Sequence, residues 1–342
     1  MSDAGAGPGF DVARLETYLA TAVEGFGRDL RVQQIHGGSS NPTYVMTTED
    51  RSGELRFILR KKPPGVLLQS AHQVEREHRV MAALADTGVP VPTVRHLCED
   101  PGVIGATFYV MDFIDGRVFR DATLPGLTPG ERAEIYDQLN LTLAKLHAVD
   151  PAAVGLGDFG RPGAYFERQL ARWTKQYRDA QTEEIPEMDR LIAALGRALP
   201  PPERTSIAHG DYRLENVMFH PTEPRLVAVL DWELSTLGEP LADLGYNAFL
   251  WRSPYPHWGS LEGLPEDSGV PTLDEYVAAY CRRTGREGVE NLSWYTAFAV
   301  FRLASIVQGG YRRMLNGQLA ARERPANGTA GYAATALAIL EG

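Results

Sequence analysis

Apolar positions recur in two rhythms along the chain. Val12, Leu15, Leu19 and Val23 fall on one stripe, which predicts a short helix over 11–26. Strand-like runs follow at 31–35, 43–48 and 55–60. Gly37-Gly38-Ser39-Ser40-Asn41-Pro42 separates the first two and reads as a hairpin tip, and Pro63-Pro64-Gly65 stops the third. Val74, His78, Met81 and Leu84 predict a helix over 70–86, broken by Val89-Pro90-Val91-Pro92, and 107–113 reads as a further β-rich run. Past Asp115-Gly116 the rhythm turns helical. Thr128-Pro129-Gly130-Glu131 is a capping box opening a helix that runs to about His147. More helices are predicted at 163–180, 187–198, 272–284, 291–315 and 326–340, with short strands and loops over 206–232. The order predicts an α+β chain with a β-rich part over 1–115 and a mainly helical part over 116–342. Residues 1–10, mostly small, are expected to fray.

Composition narrows the function. The 342 residues carry 34 Lys+Arg against 44 Asp+Glu, a formal charge of -10, which disfavours nucleic acid as a partner. Two cysteines, Cys98 and Cys281, are too few for a disulfide scaffold or a cysteine zinc site. No apolar run reaches the ~18 residues of a membrane span, and the most apolar stretch, Trp294 to Val307, carries Arg302. The segment MSDAGAGPGF shows no signal-peptide pattern. These features lead to the expectation of a cytoplasmic protein without membrane or nucleic-acid partners. They leave its oligomeric state open.

The chemistry concentrates in IAHGDYRLENVMFHP (207–221) and VAVLDWE (227–233). Asp211 stands in a polar loop after a short strand, Asn216 follows five residues later, and Asp231 ends an apolar strand. Phosphoryl transfer needs such a set: one carboxylate for the hydroxyl proton, and an amide plus a second carboxylate for Mg²⁺, which prefers hard oxygen ligands. Protein kinases use the same Asp-to-Asn spacing in H-R-D-x-x-x-x-N, followed by a metal-binding Asp in D-F-G. Here the motifs are H-G-D-x-x-x-x-N and D-W-E. Taken singly, the three residues are ordinary turn and cap formers. A metal-hydrolase reading of His209, Asp211, His220 and Asp231 would leave the Asp211–Asn216 spacing without a role.

The N-terminal part supplies a matching nucleotide pattern. The tip Gly38-Ser39-Ser40-Asn41 offers backbone N–H groups and short hydroxyls to phosphates, although a plain hairpin turn has the same composition. Arg60 could reach the α/β-phosphates, with Glu77 on the next helix holding it by an ion pair. Lys61 is the alternative, since strand alternation turns only one of the two inward. Met111 to Ile114, with Asp112 and Ile114 as the adenine-facing backbone, is a hinge or equally a buried strand end.

HGDYRLENVMF with VLDWELSTLGEPLADLG resembles the aminoglycoside phosphotransferase/choline kinase-like group of small-molecule kinases, over roughly residues 30 to 310. LRKKPPG, VEREHRV, FYVMDFIDGR and WELSTLGEPLADLG resemble more narrowly the kinase-like domain found ahead of acyl-CoA dehydrogenase domains in some eukaryotic proteins and free-standing in bacteria. The resemblance implies a two-lobed protein-kinase-like fold using ATP and Mg²⁺. By it, Asp211 is the catalytic base, Asn216 and Asp231 the Mg²⁺ ligands, Ser39 and Ser40 the phosphate loop, and Glu77 the helix glutamate. Arg60 stands where many members have Lys and choline kinase-like members have Arg. Glu239 stands where near relatives have Asp. His209 and Asp243 are expected to support the catalytic loop.

The expected reaction is ATP- and Mg²⁺-dependent phosphorylation of a small-molecule hydroxyl. Its acceptor is read as a hydroxyacyl-CoA or hydroxy acid. The alternatives are an aminoglycoside or other antibiotic, or a nucleotide-binding module without turnover. The helix over 166–178 sets Arg168, Arg172 and Lys175 on one stripe, either a basic surface for an anionic acceptor or a solvated face. The segment 251–264 is a surface loop or a wall of the acceptor pocket.

Overall fold

Asp11 opens the first helix. Its carboxylate accepts the Arg14 N–H at 3.1 Å, and α1 (Val12–Ala22) buries Leu15 and Leu19 completely. Each such leucine stabilises the fold by roughly 1.5–3 kcal/mol. The helix stops earlier than the apolar stripe predicts, because Val23 turns extended and Gly25 takes a φ of 73°. The computed structural model describes residues 8–35, 41–51, 53–63, 73–255, 260–317 and 326–342. The chain divides into two units, Met1–Gly116 with Val227–Leu234, and Arg117–Leu226 with Ser235–Gly342.

The first unit is built on a five-stranded antiparallel sheet in the order β1-β2-β3-β5-β4. Its strands are β1 (Arg28–Ile35), β2 (Thr43–Asp50), β3 (Gly53–Lys61), β4 (Val94–Cys98) and β5 (Phe108–Asp112), with α2 (Val74–Leu84) following β3. β1 and β2 pair with Ile35 opposite Thr43, as a hairpin requires. Leu15, Leu19, Tyr44, Met46, Leu59, Phe108 and Val110 form the core between α1 and the sheet. The strand β4 is absent from the sequence expectation.

The second unit is mostly helical, with α3 (Pro129–Ala148), α4 (Tyr165–Ala180), α5 (Pro186–Arg197), α6 (Leu241–Ala248), α7 (Leu273–Thr284), α8 (Leu292–Leu315) and α9 (Thr329–Glu341). Short strands β6 (Ser206–Ala208), β7 (Val217–Phe219) and β9 (Thr236–Gly238) lie among them, and β8 (Leu226–Val229) leads back to the first unit. Thr128 and Glu131 form both halves of the expected capping box, and Thr272 with Glu275 repeats it on α7. The central helix α8 is buried from Trp294 to Ser305, where Trp294 stacks on Phe298 at 5.4 Å. α6, also absent from the sequence expectation, lies hard against it: a Cβ at Gly245 would sit 2.6 Å from the Tyr295 carbonyl carbon. Among the described residues no helix is long and apolar enough to cross a membrane. The sheet and the helices segregate as an α+β class demands.

Candidate active site

In the first unit the register of β3 sets Arg60 opposite Thr43 and Tyr109. Alternation then separates the two cations of this strand. Lys61 turns its ammonium to 5.9 Å from the Phe10 ring centre, whereas Arg60 joins a cluster of carboxylates. Arg60 Nη2 donates to Asp231 Oδ1 at 2.9 Å and lies 3.5 Å from Glu233 Oε2. Its Nε lies 3.3 Å from Glu77 Oε2. Burial alone would lower the Arg60 pKa, but Glu77 and Asp231 more than offset that and raise it, so the guanidinium stays charged.

Glu77 is 1% exposed and is fixed from two further sides. Asn41 Nδ2 donates to Oε1 at 2.8 Å, and the Tyr109 hydroxyl donates to Oε2 at 3.1 Å. Burial pushes its carboxyl up to about 7; Arg60 opposes that shift, while Asp231 and Glu233 reinforce it. Asp231 follows β8 with a φ of 60°, the left-handed region that L-residues avoid. The turn after it is held by Trp232, whose indole N–H donates to the Val229 carbonyl at 3.0 Å.

The residues read from the sequence as a hinge behave unequally. Asp112 commits its carboxylate to Arg95 at 2.6 and 2.8 Å and its N–H to the Thr93 carbonyl at 2.9 Å, so only its carbonyl could serve a ligand. The Ile114 N–H makes no hydrogen bond among the described residues. Ser39 and Ser40 lie outside the described residues.

The second unit holds the loop that carries Asp211. Buried Asp243, on α6, accepts the N–H groups of His209 at 2.7 Å and Gly210 at 2.8 Å. His147 Nε2 lies 3.3 Å from the same carboxylate, and its Nδ1 meets the Tyr280 hydroxyl at 2.8 Å. Burial pushes Asp243 up, but the hydrogen bond and charge of His147, with His209 and the Gly210 N–H, hold its carboxyl below the usual value. From the other side Arg302 Nη2 donates to the Gly210 carbonyl at 2.7 Å, its guanidinium lying 5.6 Å from the Trp173 ring centre. His209 Nδ1 accepts the Asp211 N–H at 3.2 Å, and Asn247 Nδ2 donates to the Tyr212 carbonyl at 2.7 Å.

Asn216 closes the loop by donating Nδ2 to both the Asp211 carbonyl at 2.8 Å and Asp211 Oδ2 at 2.7 Å. Arg213 Nε lies 3.6 Å from Asp211 Oδ1, and Tyr246 stands beside the same carboxylate. His209 and Asp243 thus support the loop, as expected. Glu239 does something local: both its oxygens accept the Glu203 N–H, at 3.1 and 3.2 Å.

The basic stripe of α4 resolves into local contacts. Arg168 donates to the Gly163 and Arg161 carbonyls, Lys175 pairs with Asp179 at 2.6 Å, and the Arg172 guanidinium lies 5.7 Å from the Trp173 ring centre. Sequence reasoning missed Tyr109, His147 and Arg302 as parts of the site, and it placed Asn41 in the phosphate-covering tip without its bond to Glu77. Only Arg302 carried a signal, as the one charge in the most apolar stretch.

A family model described as "Phosphotransferase enzyme family" matches residues 31–295. "Acyl-CoA dehydrogenase family member 10" of Mus musculus is 46% identical over 84% of this chain and 27% of its own length. "Acyl-CoA dehydrogenase family member 11" of Rattus norvegicus is 42% identical over 90% of this chain and 40% of its own length. The chain therefore spans well under half of these curated relatives. A crystal structure from Ralstonia eutropha JMP134, described as a "putative aminoglycoside phosphotransferase", superposes with a TM-score of 0.88 at 43% identity, covering 97% of this chain and 98% of that one. Choline kinase from Cryptosporidium parvum shares the fold with a TM-score of 0.62 at 14% identity, over 97% and 95% of the two chains.

Proposed function

The chain belongs to the phosphotransferase enzyme family, and from that premise we propose that it transfers the γ-phosphoryl group of ATP, with Mg²⁺, to a hydroxyl of a small molecule. The observation that carries this reading is the bracing of the 209–216 loop. Backbone groups on both sides of Asp211 are held by Asp243, Arg302 and Asn216, so its carboxylate is positioned before any substrate arrives. In the reaction the acceptor oxygen forms a bond to the γ-phosphorus as its proton passes to Asp211. The bond from that phosphorus to the β,γ-bridging oxygen breaks, and ADP leaves with the electron pair.

Each of the two residues read as metal ligands offers the kind of oxygen a hard divalent cation takes. With Nδ2 of Asn216 committed to Asp211, its amide oxygen is the group left to face a metal, and Asp231 offers a carboxylate oxygen. Bound Mg²⁺ would neutralise phosphate charge. Arg60, set by Glu77, would take the α/β-phosphates once it leaves Asp231, and Ser39 and Ser40 would cover the phosphates. The Ile114 N–H and the Asp112 carbonyl would meet the adenine edge.

The acceptor follows from the resemblance to kinase-like domains fused to acyl-CoA dehydrogenases: a hydroxyacyl-CoA or a hydroxy acid. Calorimetry with ATP and Mg²⁺, followed by an ATP-consumption screen of hydroxyacyl-CoAs, hydroxy acids, amino alcohols and aminoglycosides, tests both levels. Binding of ATP–Mg²⁺ with turnover of an acyl acceptor is the expected result. Absence of ATP–Mg²⁺ binding defeats the phosphotransferase reading, and turnover of aminoglycosides alone defeats only the acceptor.

A further inference from the structure

Gly245 and Gly310 both stand inside helices, which a glycine weakens for want of a side chain. Gly245 has its reason in the fold, where α6 meets Tyr295. Gly310 has none: among the described residues a Cβ there would meet no atom within 4 Å, and one at Gly309 would meet only the Arg313 guanidinium, at 3.7 Å. Both glycines are helical, and neither takes a positive φ. The helical period sets them on the face of α8 that carries Arg302 and Ile306. That face is covered as far as Arg302, which is 9% exposed and donates to the Gly210 carbonyl. One turn further on it opens, and Ile306 is 43% exposed. At the covered end two buried donors have no acceptor, Arg302 Nε and Trp173 Nε1, the latter being the only polar atom of its side chain.

We propose that the face of α8 from Arg302 to Gly310 is the floor on which the alkyl chain of the phosphoryl acceptor lies, with Gly309 and Gly310 as specificity-determining residues that let the chain approach the helix backbone. The proposal rests on the phosphotransferase reading of Asp211 and deepens it. The strip starts where Arg302 holds Gly210, the residue before Asp211, so it is continuous with the catalytic loop. It runs for about 12 Å along the helix. An apolar chain laid on it removes Ile306 from water. The 24 residues of α8 include no Asp or Glu, and their charges are Arg302, Arg312 and Arg313, so the helix offers nothing to the amines of a polycation. The two unpaired donors mark the end where the oxygens of the acceptor gather. A carboxylate and a thioester carbonyl both supply such an oxygen, and the strip selects for the alkyl chain that the two share.

The experiment follows phosphorylation of straight-chain hydroxy acids from hydroxybutyric to hydroxydecanoic acid, free and as CoA thioesters, beside kanamycin. It uses the wild type, Gly310→Ala and Gly310→Leu, with a thermal melt of each. In the wild type KM should fall about tenfold or more from the shortest chain to the longest. Gly310→Leu should remove that gain and leave the KM for ATP within about twofold. Gly310→Ala should raise the melting temperature, because alanine suits a helix better and its methyl group meets nothing. The same variant should raise KM for the longest chain about threefold. A gain in stability joined to a loss of acceptor affinity marks a glycine kept for a ligand, and this reading stands on the alanine variant even where the leucine variant does not fold. A lower melting temperature in Gly310→Ala, a KM that ignores chain length or position 310, or turnover confined to kanamycin each overturns the proposal while the phosphotransferase reading stands. Failure of the wild type to bind ATP–Mg²⁺ overturns that reading instead.

Discussion

The Arg60 cluster and the Asp211 loop are both dense in charge, yet they are held in opposite ways. Around Arg60, side chains hold side chains: Glu77, Asp231 and Glu233 share one guanidinium, and Asn41 and Tyr109 add neutral support. Around Asp211, side chains hold backbone, through Asp243 on two N–H groups, Arg302 on a carbonyl and Asn216 on another. Side chain to side chain pairs change partner by rotating a few χ angles, so the first arrangement can hand Arg60 to a phosphate. Side chain to backbone bonds fix the main chain, so the second sets Asp211 in advance. Substrate binding should rearrange the one and leave the other in place.

Four experiments break or sharpen this contrast. Asp211→Ala should lower kcat by about 10²–10⁴-fold with ATP binding retained, because the base acts only in the transition state; kcat equal to the wild type would falsify its role. Asp243→Ala should lower stability by about 3–5 kcal/mol in urea titrations, since it strands His147 and two buried N–H groups. A loss within the roughly 0.5 kcal/mol of an ordinary surface substitution would erase the distinction between the two regions.

The third experiment uses pH. Glu77, raised to about 7 chiefly by burial, binds its proton more tightly when folded. Its contribution to stability is therefore full below its unfolded pKa, near 4.5, and is lost as pH rises through about 7. Asp243 is held below its ordinary value of 3.8, so its contribution is present above that value and is lost only as pH falls through the folded one. In metal-free protein, Glu77→Gln should gain on the wild type between these two Glu77 values, by an amount on the order of 3 kcal/mol. Parallel curves for the two proteins across that window would contradict the assignment. The smallest effect belongs to Lys61→Met, whose ammonium lies on the far face of β3 with its pKa lowered by burial. The KM for ATP should not move beyond about twofold, and a large rise would return the phosphate contact to Lys61.

Much of this was legible in the residues. The Thr128 capping box, the boundaries of α7 and α8, and the Asp211–Asn216 spacing, which the structure closes with a hydrogen bond, stand in local patterns of a few residues. β4 was not legible because Arg95 and His96 interrupt its apolar alternation and prolines precede it; it is held as a strand by pairing with β5. α6 was hidden by Gly245, a poor helix former that is needed where the helix meets Tyr295. Arg60 against Lys61 stayed open because alternation says that one turns inward without saying which. Asn41 and Tyr109 reach Glu77 across 36 and 32 residues, a relation that only the sheet register creates.

The left-handed backbone of Asp231 bears on how this sequence can change over time. A carboxylate there costs about 1 kcal/mol in conformation and adds a third negative charge around one guanidinium. Glycine would remove both burdens at once. A population of variants selected only for heat resistance should therefore drift to glycine at position 231, while one selected for phosphoryl transfer should keep the acid. Ranking positions by how differently they respond to the two selections would test the role proposed for Asp231 with no ligand in hand.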